Sequence, residues 1–123
     1  MQKHILITDD SPIIRKTLRK FLEKENDWVV VGEAANGKEA LEKTRELKPD
    51  LVVLDLAMPQ MNGIQAAREL KRLSPDTPLL MFTNVDSARL ADMATAIGVN
   101  AVIPKSQPRL LVERIHALLE PVA

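Results

Sequence analysis

Short apolar runs and helical patterns take turns five times along the chain. The runs are His4-Ile5-Leu6-Ile7-Thr8, Trp28-Val29-Val30-Val31, Leu51-Val52-Val53-Leu54, Leu79-Leu80-Met81-Phe82 and Ala101-Val102-Ile103. Each is rich in Val, Ile or Leu and lacks polar alternation, the pattern of parallel strands covered on both faces. Between the runs, apolar residues recur at helical spacing. Ile14, Leu18, Phe21 and Leu22 form one stripe, behind Ser11 as N-cap and Pro12 as the first helical residue. The stretch from Lys38 to Leu47 carries the faintest stripe, with Ala40, Leu41, Thr44 and Leu47 facing inward. Ile64, Ala67, Leu70 and Leu73 repeat every third residue until Ser74-Pro75 stops them. Leu90, Met93, Ala94 and Ile97 share a face ended by Gly98 as C-cap, and Leu111, Val112, Ile115 and Leu119 follow Pro108. Five such strand–helix units predict an α/β fold, an open parallel sheet with helices on both sides. Connections are short, and no Gly/Ser-rich linker, low-complexity tract or internal repeat interrupts them, so residues 1–123 read as one domain.

Composition narrows the function classes. A chain of 13.7 kDa removes about two-thirds of its unfolded surface from water, enough for a core without staples. The absence of cysteine excludes a disulfide scaffold, a thiolate zinc site and a cysteine nucleophile. Seventeen basic residues balance seventeen acidic ones, so charge argues for neither nucleic acid nor membrane as a partner. No apolar run approaches the roughly 20 residues of a membrane helix. The opening MQKHILITDD turns acidic too early for a secretory signal. A soluble, cytoplasmic chain is the expectation.

Ligands of open α/β sheets bind beyond the carboxyl ends of the strands, where the winding reverses. The first strand ends in Asp9 and Asp10, the third in Asp55, the fourth in Thr83, and the fifth in Lys105 after Pro104. The second ends in Gly32-Glu33-Ala34-Ala35, with little that looks reactive, which suits an edge position and sets the first and third strands side by side. Singly, each of these residues has a plainer reading, because aspartate after a strand is usually a turn former or a helix cap. Their arrangement carries more weight, since four of the five strand ends bear chemistry-capable groups.

Two carboxylates about 5 Å apart repel by roughly 3 kcal/mol at an effective dielectric of 20. Three on one rim must hold protons or recruit a cation. Lys105 supplies one positive charge against three negative ones. A divalent ion closes that deficit, and oxygen donors without His or Cys suit Mg²⁺. A hydroxyl and an ammonium beside such an ion are donors for a phosphoryl group, so the chemistry implied is phosphoryl transfer to a carboxylate.

With these residues in place, the sequence resembles the receiver domains of two-component response regulators over essentially its whole length. ILITDDS, LVVLDLAMPQMNG, LLMFT and VIPK stand in that family's order and spacing. The resemblance implies a flavodoxin-like, doubly wound five-stranded parallel sheet of order 2-1-3-4-5. It implies that Asp55 accepts a phosphoryl group from the phosphohistidine of a sensor histidine kinase or phosphotransfer protein. Asp10 and Asp55 would bind Mg²⁺, or Mn²⁺ in its place, directly; Asp9 would do so mainly through water, and the carbonyl of Ala57 would complete the protein ligands. Thr83 and Lys105 would meet the phosphoryl oxygens, while Pro59 and Gly63 shape the turn after the acceptor strand. The chain would be a signalling switch that catalyses only its own phosphorylation and dephosphorylation, without enzymatic turnover. Its output surface would be the fourth helix, fifth strand and fifth helix, read by a downstream effector protein or an output domain. A phosphorylation-dependent dimer through the last helix rests on the same analogy.

The sequence departs from the family pattern in places. Receivers usually carry Tyr or Phe three residues before the lysine, where this chain has Val102. Ser106 stands after Lys105 where many relatives have proline, and Asn84 and Ala57 border the path of a water attacking the acyl phosphate. A haloacid-dehalogenase-type phosphatase would need a second Asp two residues after the nucleophile, where Ala57 stands. A flavin-binding protein would place a glycine- and hydroxyl-rich loop where Asp9-Asp10 stands, and would want stacking aromatics. The alternative left open is the N-terminal receiver of a longer DNA-binding transcriptional regulator. Nothing in these residues forms a basic recognition helix. Among other residues, Arg15, Lys16, Arg19 and Lys20 read as a solvated basic stripe on the first helix, with kinase docking near Ile13 and Ile14 as the minority reading. His4 and His116 read as solvated or core-edge residues, and Trp28 as packing at the start of the edge strand.

Overall fold

The structure is a computed structural model and describes residues 2–58 and 61–120. The elements in chain order are β1 (Lys3–Thr8), α1 (Pro12–Leu22), β2 (Trp28–Ala34), α2 (Gly37–Leu47) and β3 (Leu51–Leu54). They continue with α3 (Gly63–Leu73), β4 (Leu79–Thr83), α4 (Ala88–Ile97), β5 (Ala101–Pro104) and α5 (Pro108–Leu119). All strand pairs are parallel, in the order β2-β1-β3-β4-β5. The fold is therefore the doubly wound, flavodoxin-like α/β sheet that the alternation and the resemblance predict.

Each strand faces a core on both sides, which is why the apolar runs show no alternation. Ile5, Ile7, Val53, Leu80, Phe82 and Ile103 pack against α1 and α5 with Leu18, Leu22, Leu111 and Ile115. Leu6, Val52, Leu54, Leu79 and Met81 point the other way, toward Ala40, Ile64, Ala67, Leu70 and Ala94 of α2, α3 and α4. The winding reverses between β1 and β3, so their carboxyl ends flank the crevice where such sheets bind ligands.

Helix boundaries follow capping chemistry more closely than apolar spacing. Ser11 Oγ accepts from the Ile14 amide, and Pro12 opens α1 as expected. Asn36, Asn62 and Ser87 cap α2, α3 and α4 in the same way, starting each helix ahead of the first residue of its apolar stripe. Gly98 ends α4 at φ 116°, in the left-handed region that glycine enters without penalty.

Some expectations are corrected. Leu47, expected to face inward, is 38% exposed: it ends α2, with its δ-carbon over Gly32 of the edge strand. Met93 is also 38% exposed: α4 lies against edge strand β5 and fully buries only Ala94. The larger departure is β2, which extends three residues past its apolar run to Ala34. Its pairing with β1 steps from Ile5↔Val30 to Leu6↔Gly32, leaving Val31 as an extra residue in the ladder.

Candidate functional site

Adjacent strands deliver the acidic residues to one place. Thr8 pairs with Leu54, and the Asp55 amide donates to the Thr8 carbonyl at 3.0 Å, so the residues following β1 and β3 emerge together. One carboxylate oxygen from each of Asp9, Asp10 and Asp55 lies within 4.8 Å of the others. Asp9 and Asp55 are 2% and 5% exposed, whereas Asp10 faces solvent. The Ser11 amide donates to Asp9 Oδ1 at 2.9 Å, and the Ala57 amide approaches Asp55 Oδ1 at 3.4 Å.

Lys105 completes the constellation from the far side of β4. Its amide donates to the Thr83 carbonyl at 3.0 Å, which extends the β4–β5 ladder past Pro104 and aims the side chain across the strand ends. Its ammonium sits 2.6 Å from Asp9 Oδ2 and 3.0 Å from Asp55 Oδ2. Burial pushes the lysine pKa down, but the hydrogen bonds and charges of Asp9 and Asp55 outweigh it and hold the group above its ordinary value. Lys105 is therefore a fixed positive charge at neutral pH.

Thr83 is buried beneath this rim, and its hydroxyl oxygen accepts from the Val85 amide at 3.2 Å. That bond uses the oxygen as acceptor and leaves the hydroxyl proton for another oxygen. Asn84 is exposed, and Val102 is half-buried beside a cavity of about 470 Å³ that Thr83 also lines. Just past β3, the Gly63 amide donates to the Leu56 carbonyl at 2.8 Å. A β-carbon at Gly63 would lie 2.4 Å from the Asp55 carbonyl oxygen and 2.6 Å from Leu56 Cα, so only glycine lets α3 start this close. Pro59 lies outside the described residues.

The donor set fits a small hard cation. Three carboxylates against one ammonium leave a charge of −2, and all donors are oxygens. Two oxygens on one Mg²⁺ stand at most about 4.2 Å apart, twice the metal–oxygen distance. The three oxygens, within 4.8 Å of one another, would have to draw closer for all of them to bind one octahedral ion directly, and Lys105 would have to give way.

Behind Asp9 stands a support that apolar spacing does not predict. Arg15 and Arg19 are not a solvated stripe: Arg15 Nε is 3.2 Å from Glu33 Oε1, and Arg19 Nε is 2.8 Å from Glu33 Oε2. Lys16 and Lys20 do remain exposed. Burial pushes the Glu33 pKa up, but the Arg19 and Arg15 guanidiniums bring it below the usual carboxylate value. The second strand thus contributes after all, through Glu33. Composition carried no signal for this, because the strand's parity depends on Val31. Trp28 and His116 do occupy the core edge, with ring centroids 4.4 Å apart.

The fold and the acidic crevice at its winding reversal define a class, doubly wound domains with a cluster of carboxylates at the carboxyl ends of the strands. Comparison with known proteins gives the family. Residues 5–116 match the model of the response regulator receiver domain. The chain is 37% identical over 117 residues to a chemotaxis protein CheY of Thermotoga maritima, covering 94% of this chain and 97% of that protein. It is 42% identical over 107 residues to a protein-glutamate methylesterase/protein-glutamine glutaminase of Alkalilimnicola ehrlichii, covering 85% of this chain but 27% of that protein. A LuxR-family two-component response regulator from Aurantimonas sp. superposes with a TM-score of 0.92 at 35% identity, covering 97% of this chain and 86% of that one. The chain belongs to the response regulator receiver domain family, the receiving modules of two-component signalling.

Proposed function

We propose that Asp55 is the phosphoryl acceptor of this receiver, and that Asp9, Asp10, Asp55 and the Ala57 carbonyl hold Mg²⁺ or Mn²⁺ beside it. The convergence of three carboxylates around one lysine carries the reading. An Asp55 carboxylate oxygen attacks the phosphorus of a kinase or phosphotransfer-protein phosphohistidine. The new O–P bond forms as the P–N bond breaks, and the imidazole nitrogen leaves with the electron pair. The divalent ion supplies charge neutralisation for the phosphoryl oxygens. Thr83 donates its hydroxyl proton to one of them, and Lys105 turns from Asp9 and Asp55 to another. Phosphorylation replaces one negative charge on Asp55 by about two and adds three acceptor oxygens. Meeting these moves the loops that lead from β4 into α4 and from β5 into α5, so the α4–β5–α5 surface reads out the state as a population shift. With no aromatic at Val102, backbone movement or a partner carries more of that coupling.

The chain acts as a switch without substrate turnover, in the cytoplasm, between a histidine kinase and an effector protein or output domain. No helix among the described residues is long and apolar enough to cross a membrane. A second reading, the receiver of a longer regulator, is favoured by the methylesterase relative, of which this chain spans 27%. Any DNA-binding or catalytic output would then lie in residues beyond the matched share. A small-molecule phosphodonor with Mg²⁺ tests the assignment by intact-mass analysis. One phosphoryl group is expected on the native chain, none on Asp55→Asn and none in chelator. Equal incorporation in chelator, or undiminished incorporation in Asp55→Asn, overturns the assignment.

A further inference from the structure

We propose that Arg15 is a positioning residue for metal binding, holding the main chain of the acidic loop in register, and that Glu33 aims it. The inference rests on the metal-binding reading above. Asp9 and Asp10 follow β1 in a loop whose hydrogen bonds are few. The Asp9 amide donates to the Ala34 carbonyl at 3.0 Å, and the Asp9 side chain accepts from Ser11. The Asp9 carbonyl is held from outside the loop: Arg15 Nη1 donates to it at 2.7 Å. The same guanidinium turns its Nε to Glu33 Oε1 at 3.2 Å, so two donors of one rigid fork link the acidic loop to the edge strand. Glu33 is pinned in turn, because its second oxygen accepts from Arg19 Nε at 2.8 Å while Arg19 Nη1 donates to the Val30 carbonyl at 3.1 Å.

The β2 bulge makes this link. In an uninterrupted strand, residues 28, 30, 32 and 34 share one face. Here Trp28 and Val30 pack on the α1 side, whereas Gly32 and Ala34 face the α2 side. The extra residue inverts the parity and swings Glu33 onto the α1 face, opposite Arg15 and Arg19. The same stretch also meets α2, whose Lys43 ammonium donates to the Glu33 carbonyl.

Position and charge predict opposite signs, which makes the proposal testable. As a nearby positive charge, Arg15 opposes a cation, so its removal would tighten Mg²⁺ binding. As the holder of the Asp9 carbonyl it pre-organises the carboxylates, so its removal weakens binding; losing such an outer support costs about tenfold or more in metal affinity. Mg²⁺ titration calorimetry should therefore show Arg15→Gln binding about tenfold more weakly than the native chain. Lys16→Gln, the same charge change on the exposed neighbour, should stay within about twofold. In metal-free protein, hydrogen exchange at the two hydrogen-bonded loop amides, Asp9 and Ser11, should quicken about tenfold in Arg15→Gln while Leu18 in the middle of α1 keeps its protection. Glu33→Gln, which leaves Arg15 in place, should quicken the same two amides by less. Native-like or tighter Mg²⁺ binding by Arg15→Gln, or unchanged exchange at Asp9 and Ser11, overturns the proposal. Absence of Mg²⁺ binding by the native chain overturns the metal reading itself.

Discussion

Two basic side chains are each held between two carboxylates, at opposite ends of the sheet. At the carboxyl ends of the strands, Lys105 lies 2.6 Å from Asp9 and 3.0 Å from Asp55. At the amino ends, His116 of α5 bonds Glu25 through Nε2 at 2.5 Å and Glu120 through Nδ1 at 2.6 Å, against the Trp28 ring. The contact geometry is nearly the same, and the surroundings differ. Asp9 and Asp55 keep 3% and 6% of their side-chain surface, whereas Glu25 and Glu120 keep 35% and 62%. Water screens the histidine cluster, so it acts as a clasp between α5 and the loop before β2. At the lysine end water is largely excluded from Asp9 and Asp55, and the neighbouring carboxylate of Asp10 leaves a surplus of negative charge on the rim. Proximity of opposite charges therefore does not mark a reactive site; desolvation and charge imbalance together do.

Removing the cation from each end sharpens this contrast most. Lys105→Ala strands two buried carboxylates and should lower metal-free stability by about 3 kcal/mol in urea titration. Saturating Mg²⁺ should recover much of that loss, because the ion replaces the missing charge. Equal losses from Lys105→Ala and from His116→Gln would break the comparison.

The backbone behind the acids gives the next effect. Gly63→Ala drives a methyl group into the Asp55 carbonyl, which cannot yield as a flexible side chain would. A destabilisation of about 2 kcal/mol is expected from such overpacking, with weakened Mg²⁺ binding in calorimetry. Native-like values would show that the loop after β3 is softer than its contacts imply.

The smallest effect belongs to the histidine clasp and appears as pH dependence. Burial pushes the His116 pKa down, but the Glu120 and Glu25 carboxylates outweigh it and leave it raised. A raised folded value means that the clasp contributes fully below the unfolded value of about 6.5 and fades as pH rises through the folded one. The contribution is expected to be under about 1 kcal/mol, as for exposed ion pairs. His116→Gln should flatten the stability difference between acid and alkaline buffer, with Trp28 fluorescence as a second readout. A native chain whose stability does not fall across that interval would remove the clasp.

Much of the fold and the rim was legible because the relevant signals are local. Ser11, Pro12 and Gly98 punctuate helices through their own backbone chemistry, and they do so here as read. Asp9, Asp10 and Asp55 needed one further step, since residues following neighbouring parallel strands must emerge at the same edge. Exposure at Leu47 and Met93 was less legible, because apolar spacing names a helix face without saying how much of it a sheet edge can cover.

The sequence by itself determined the alternation of elements and the residue types at the strand ends, because period, capping and turn chemistry act over a few residues. Only the tertiary structure decided that Lys105 bridges Asp9 and Asp55, that His116 meets Glu25 across 91 positions, and that Glu33 faces Arg15. The last of these depends on one unpaired residue in β2. Side-chain direction along a strand is set by register with its neighbour, and register is a property of two segments that no single segment encodes.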